Sequence, residues 1–161
     1  MKKKGICALA VCLAISLAIP ANVYAAKKND TATKKETVKT VTISAAGDCT
    51  LGVDSRYNNK FNEYYKSHDN KYFLKNVKSV FEKDDITIVN FEGTLTTSNN
   101  RAQKTFTFKG PAKYTGILKA GSVEVVNLAN NHTMDFGEQG FKDTKAALKK
   151  AGIAYSYGTN I

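Results

Sequence analysis

From Val41 onward, short runs of β-branched and small apolar residues alternate with stretches whose apolar positions recur at helical spacing. This alternation constrains the fold more than any other feature. Strands separated by helices pair in parallel, with the helices laid on the sheet faces. Val41–Ala46 reads as the first strand, running into Gly47-Asp48. Asp69-Asn70 reads as the cap of a helix with Phe73, Val77, Val80 and Phe81 on one face. Ile86–Val89 is a buried strand, and Phe106-Thr107-Phe108 a small edge strand. Pro111 suits the first turn of a helix carrying Tyr114, Ile117 and Leu118 on one side, with Gly121 as its stop. Val123–Val126 is the next strand. A helix follows from about Gly137 to Ala151, with Phe141, Leu148 and Ala151 inward, and Gly152 ends it. Ile153-Ala154-Tyr155 begins a fourth strand. The expected class is α/β with a mainly parallel sheet, whose strands are buried on both faces.

The residues before Val41 read differently. Lys2, Lys3 and Lys4 precede an apolar run from Ile6 to Ile19, which Pro20 breaks. The run falls short of the roughly 20 apolar residues of a membrane span. Val23-Tyr24-Ala25 offers small residues at the −3 and −1 positions of a cleavage site. Residues 1–25 are therefore expected to be a secretory signal, with an uncleaved anchor as the rival. Cys12 lies too early in the run to suit a lipoprotein anchor. Residues 26–40 are Lys/Thr-rich and nearly free of large apolar groups, the composition of a flexible spacer.

Charge follows the same division. The whole chain carries +10. Without residues 1–25, 21 basic and 14 acidic residues leave +7. Without the spacer as well, 16 basic and 12 acidic residues leave +4. Arginine occurs only at Arg56 and Arg101, with no interleaved aromatic cluster, so no nucleic-acid footprint is present. A basic exterior suits an anionic envelope polymer or membrane surface, although a generic solvated lysine surface explains the same charge. Cys7 and Cys12 would leave with the signal, and Cys49 alone cannot form an internal disulfide.

Three polar clusters occupy equivalent places after strands. They are Gly47-Asp48, Asn90-Phe91-Glu92-Gly93, and Asn127 to His132 with Asp135 just beyond. In open α/β sheets, ligands bind beyond the carboxyl ends of the strands, so these residues are expected to converge. Two carboxylates, a carboxamide and an imidazole make a mixed oxygen and nitrogen set. The oxygens suit magnesium or manganese, and imidazole also suits zinc and iron. Two metals sharing a carboxylate would activate water for an in-line displacement at phosphorus, and His132 would act as general acid to the leaving oxygen. Each residue also has a plainer reading. Asp48 serves equally as a turn residue or cap, and Asn130 and Asn131 as turn formers. An unpaired Glu92 would be costly to bury after an apolar run. Cys49 has no base beside it in sequence and reads as a small semi-buried residue. Asp135-Phe136-Gly137 reads as the opening of the following helix. No P-loop or dinucleotide-binding glycine pattern occurs.

At these residues the sequence resembles the bacterial capsule synthesis family of the CapA type, associated with poly-gamma-glutamate. The stretches that carry the resemblance are Ala45–Gly52, Ile88–Thr96, Phe108–Gly121, Val125–Phe141 and Leu148–Asn160. The most specific is the NLANNHTMDFG run from Asn127 to Gly137. The resemblance implies a calcineurin-like metallophosphoesterase scaffold. It further implies Asp48 as an early metal ligand, Glu92 at the bridging position, Asn131 as a metal-bound amide and His132 near the leaving group. The usual Asp-x-His of the first motif is Asp48-Cys49-Thr50 here. Family members normally continue further, with later histidine motifs. The expectation is therefore an N-terminal, incomplete form of the fold, binding divalent metal (Mn, Mg, Zn or Fe) weakly and catalysing little. The implied role is an extracytoplasmic component of capsule or poly-gamma-glutamate synthesis or export. Its partners would be an anionic polymer such as polyglutamate and a membrane-bound synthesis complex. A metal-dependent hydrolase of a phosphoester or envelope polymer is the alternative. A purely lysine-rich wall-binding module would leave the strand-end acids unexplained.

Overall fold

The computed structural model describes residues 38–158. The expected signal over 1–25 and nearly all of the expected spacer over 26–40 lie outside the described residues. A compact unit begins at Val41. No helix among the described residues is long and apolar enough to cross a membrane.

Four strands form one sheet: β1 (Ile43–Cys49), β2 (Ile86–Phe91), β5 (Val125–Asn127) and β6 (Ala154–Ser156). They lie in the order β1-β2-β5-β6, and every neighbouring pair is parallel. Two short strands, β3 (Thr94–Leu95) and β4 (Lys109–Gly110), pair in parallel as a second small sheet. Helices α1 (Lys60–Ser67), α2 (Lys78–Phe81), α3 (Thr115–Ala120) and α4 (Gly137–Ala151) separate the strands. The result is an α/β arrangement of mostly parallel sheet and alternating helices, consistent with a metallophosphoesterase-like fold.

Burial explains which parts followed their sequence pattern. Phe91, Val126, Tyr114, Ile117, Leu118 and Leu148 are almost fully buried, and they join β2, β5, α3 and α4 in one core. Helix α4 matches its predicted span, and Gly152 closes it in the left-handed conformation with φ 74°. The segment after Pro111 begins as a 3-10 turn over Ala112–Tyr114 before α3. The expectation of strands buried on both faces does not hold throughout. β2 alternates between buried and half-buried residues, and β1 is largely exposed.

Three local readings also changed. The helix expected after Asp69-Asn70 is a run of turns, helical only over Lys78–Phe81. Asn70 accepts a hydrogen bond from the Tyr65 hydroxyl, and Phe73 stacks on Phe61 at 4.8 Å, while Val77 and Val80 stay exposed. Aromatic packing thus replaces the regular stripe that the spacing suggested. Helix α1 had no assignment from the sequence. Its signal is Phe61 and Tyr65 at i and i+4, both packed against Tyr114 at 5.2 and 4.4 Å. Finally, the edge strand expected at Phe106–Phe108 is absent there, and a two-residue strand forms just beyond it, at Lys109–Gly110.

Candidate functional site

Because β1, β2 and β5 are parallel, their carboxyl ends open on one edge of the sheet. The register brings the end residues into line. Val89 pairs with Ala46, but Asn90 pairs with Asp48, so Gly47 is an extra residue in β1. Such a bulge moves the residues beyond it to the opposite face of the strand. Without it Gly47, not Asp48, would lie beside Asn90. With it, the Asn90 amide donates to Asp48 Oδ1 at 2.7 Å and, at longer range, to Glu92 Oε2 at 3.4 Å. Asn90 Oδ1 accepts from the Asn127 and Asn130 side-chain amides, each at 3.1 Å. Asn130 also donates to the Phe91 carbonyl at 2.9 Å, and its own oxygen accepts the His132 N–H at 3.0 Å. Three strand ends are thereby joined by one amide network centred on Asn90.

The imidazole of His132 sits between two carboxylates. Its Nε2 lies 3.4 Å from Glu92 Oε1, and its Nδ1 lies 2.8 Å from Asp135 Oδ2. Asp135 is wholly buried, accepts the Phe108 N–H at 2.6 Å, and pairs with the Lys104 ammonium at 2.8 Å. An ionised Asp135 only accepts hydrogen bonds, so it holds the Nδ1–H tautomer and leaves Nε2 facing Glu92. The Phe108 ring covers the imidazole with centroids 4.5 Å apart. Glu92 holds its proton more tightly than an ordinary glutamate. Burial is the main cause, the adjacent Asp48 carboxylate adds to it, and His132 opposes it.

Asp48, Glu92 and His132, singled out from the sequence, are therefore brought together. Asn131 is exposed, and its main-chain carbonyl accepts from Lys104 at 2.6 Å. Its neighbour Asn130 takes the inward position. Sequence reading placed Asn90 and Asn127 in the converging clusters without giving them a role, missed Lys104, and assigned Asp135 to the start of a helix. The structure starts α4 at Gly137 after Phe136, without a side-chain cap, and uses the Asp135 carboxylate for His132. The three-residue spacing from His132 to Asp135 was the available signal.

Among the described residues, no group of three His, Cys, Asp or Glu side chains is arranged to hold an ion. The two carboxylates that are gathered, Asp48 and Glu92, still suit a hard divalent cation, while the amide that faces them, Asn90 Nδ2, is a donor. Two carboxylates whose proximity raises the proton affinity of one of them are short of positive charge, which a cation would supply. Cys49, beside Asp48, is pushed up to about 11 by burial, so it is a neutral thiol at neutral pH.

A mostly parallel sheet with alternating helices is consistent with a scaffold of the metallophosphoesterase-like class. Residues 42–159 match the family described as bacterial capsule synthesis protein PGA_cap, and the chain belongs to that family. It is 33% identical over 112 residues to the PGA biosynthesis protein CapA of Bacillus subtilis (strain 168), covering 68% of this chain and 28% of the relative. It is 26% identical over 119 residues to the capsule biosynthesis protein CapA of Bacillus anthracis, covering 71% of this chain and 28% of that relative. A probable polyglutamine synthesis accessory protein of Mycobacterium tuberculosis (strain ATCC 25618 / H37Rv) is 40% identical over 70 residues, 43% of this chain and 18% of the relative. The matched region thus spans little more than a quarter of the two CapA proteins.

Proposed function

We propose that this chain serves capsule or poly-gamma-glutamate synthesis outside the cytoplasmic membrane, with the strand-end cluster as its working site. Family membership and the names of the Bacillus relatives support the role. The observation that carries the site is the line from Asp48 and Glu92 through His132 to Asp135. In this reading Asp48 and Glu92 hold a divalent cation, with Asn131 as a further oxygen ligand. His132 stands ready to pass a proton through Nε2. The lysine-rich start and apolar run before Val41 would deliver the chain across the membrane, where it would meet an anionic polymer and a membrane-bound synthesis complex.

The test is complementation. A polyglutamate-producing host lacking its own CapA-type protein would receive this chain or its Asp48→Ala and Glu92→Ala variants. Restored extracellular polymer with the unchanged chain alone supports the reading, and no restoration by any of them rejects it. A second reading, a metal-dependent hydrolase of a phosphoester or envelope polymer, is favoured by the same pair of carboxylates beside a histidine. Metal-dependent cleavage of a chromogenic phosphodiester, lost in His132→Ala, would select it over a purely assisting role.

A further inference from the structure

A charged cavity that shares no lining residue with the strand-end cluster lies between the segment after β1 and the segment before β4. It encloses about 150 Å³ and is lined in part by Asp54, Ser55, Arg56, Asn99, Arg101 and Lys109. Three cations face a single carboxylate there. That carboxylate is fully spent. Asp54 Oδ1 accepts the Arg56 main-chain N–H at 3.2 Å and its Nε at 3.0 Å. Asp54 Oδ2 accepts Arg56 Nη2 at 2.8 Å, Arg101 Nη2 at 3.4 Å, and the Thr107 N–H and hydroxyl at 3.0 and 3.4 Å. The other acceptors nearby are also taken: the Thr105 carbonyl by both arginines, and the Ser98 carbonyl and Asn99 Oδ1 by Lys109 Nζ.

Donors are what remain. Arg101 Nε is buried and has no hydrogen-bond partner, alone in this among the buried side-chain atoms of the described residues. A buried donor left unpaired costs free energy, and this one, closed to solvent, adds to the positive charge at the cavity wall without facing into it. Among the described residues, Arg56 Nη1, the Ser55 hydroxyl and the Asn99 amide nitrogen, all on exposed residues, also have no partner within the protein. The cavity therefore has surplus positive charge and surplus N–H and O–H groups, with no acceptor to match them. Its size suits one small oxygen-bearing group rather than a whole cofactor. Guanidinium groups are suited to carboxylate and phosphate oxygens.

We propose that this cavity is an oxyanion-binding site. Its natural occupant is a pendant carboxylate of an acidic polymer, or else a free phosphate. The polymer source rests on the function proposed above; the oxyanion site does not. One segment connects the cavity to the strand-end cluster. Thr107 bonds Asp54, Phe108 covers His132 and bonds Asp135, and Lys109 lines the cavity. A glutamyl chain lying across this segment would seat a carboxylate among the arginines while another part meets the strand ends.

The experiment uses the full 161-residue chain in chelator, so that no metal contributes. Calorimetric titrations with glutarate, a γ-linked glutamate oligomer and inorganic phosphate are compared with those of two variants. Ser55→Asp adds a negative charge at an exposed position while leaving every clamp on Asp54 in place. Arg56→Gln removes a cation. The expected result is binding that weakens on the order of tenfold in each variant, and that weakens with added salt. Ser55→Asp should keep the thermal midpoint of the parent. Binding by the glutamyl probes identifies the polymer source, and binding by phosphate alone identifies phosphate. Absence of binding by all three probes up to about 10 mM, or unchanged binding in a folded Ser55→Asp variant, overturns the site. Oligomer binding without complementation of polymer production would reject the proposed function and leave the site standing.

Discussion

At the scale of single residues, the structure assigns two aspartates different work. Asp135 is fully buried among His132, Lys104 and the Phe108 N–H. Removing it leaves a buried imidazole and a backbone donor without their acceptor, and takes one of two partners from the half-exposed Lys104 ammonium. Asp135→Ala is expected to destabilise the fold by about 2–4 kcal/mol, measured by urea unfolding. It should also release the His132 tautomer, visible as a changed ring-nitrogen pattern in NMR. A loss below about 0.5 kcal/mol would contradict the buried network. Asp54 works through charge. Hydrogen bonds from Arg56, chiefly its side chain, together with the Thr107 N–H, hold its carboxyl well below the ordinary 3.8, against an opposing effect of burial. Because the folded value is depressed, this stabilisation is complete above the unfolded value and shrinks as pH falls below it. It is exhausted only when pH falls past the depressed folded value. Acid unfolding of Asp54→Asn should therefore show a shallower loss of stability between about pH 4 and pH 2 than that of the parent. Identical slopes would remove Asp54 as a source of acid sensitivity. Neither aspartate was legible as such in the sequence. Each has one local partner, His132 three residues before Asp135 and Arg56 two after Asp54, but Phe108, Lys104, Arg101 and Thr107 lie 27 to 53 residues away, and no local pattern announces a pairing of that range.

At the scale of elements, legibility followed periodicity. Helix α4 and the segment around α3 have repeated inward positions and clear stops at Gly152 and Gly121, and both were read from the sequence. Helix α1 carries no buried residue and only two inward aromatics, so its apolar signal was too thin. The β1 bulge was invisible because nothing in AAGDC marks which residue is the extra one, although it decides that Asp48 lies beside Asn90. The stretch from Thr96 to Phe108 contains no regular element, yet it supplies Arg101, Lys104 and Thr107 to two polar networks. It is held against the segment after β1 by close backbone contact. A Cβ on Gly52 would come within 2.7 Å of the Lys109 carbonyl carbon and oxygen. Val53 and Lys109 exchange main-chain hydrogen bonds at 3.1 and 3.2 Å at this crossing. Gly52→Ala must push the two strands apart, at a cost of about 1–3 kcal/mol. Thermal unfolding checks this, and an unchanged midpoint would mean that the crossing yields freely.

At the scale of the whole molecule, the sheet collects negative charge at one edge of a chain that is otherwise basic. Asp48 and Glu92 sit together there, while the residues from 41 onward carry +4 overall, from 16 basic and 12 acidic residues. General positive charge at a distance is screened beyond about 8 Å at physiological salt, so it does little for two carboxylates in contact. Their local relief comes from His132 on one side and from whatever binds at the open edge. A divalent cation that binds the folded edge and not the unfolded chain stabilises the fold by mass action. At ten times its dissociation constant the gain is about 1.4 kcal/mol, a rise in thermal midpoint of roughly 4–8 °C for a domain of this size. Manganese and magnesium should give this rise in the parent chain, and the Asp48→Ala, Glu92→Ala double variant should give none. The comparison has a second arm. Removing both acids also removes their repulsion, so the metal-free double variant should unfold no earlier than the metal-free parent. A rise of equal size in both proteins would move the cation elsewhere, and the strand-end acids would lose their claim to it.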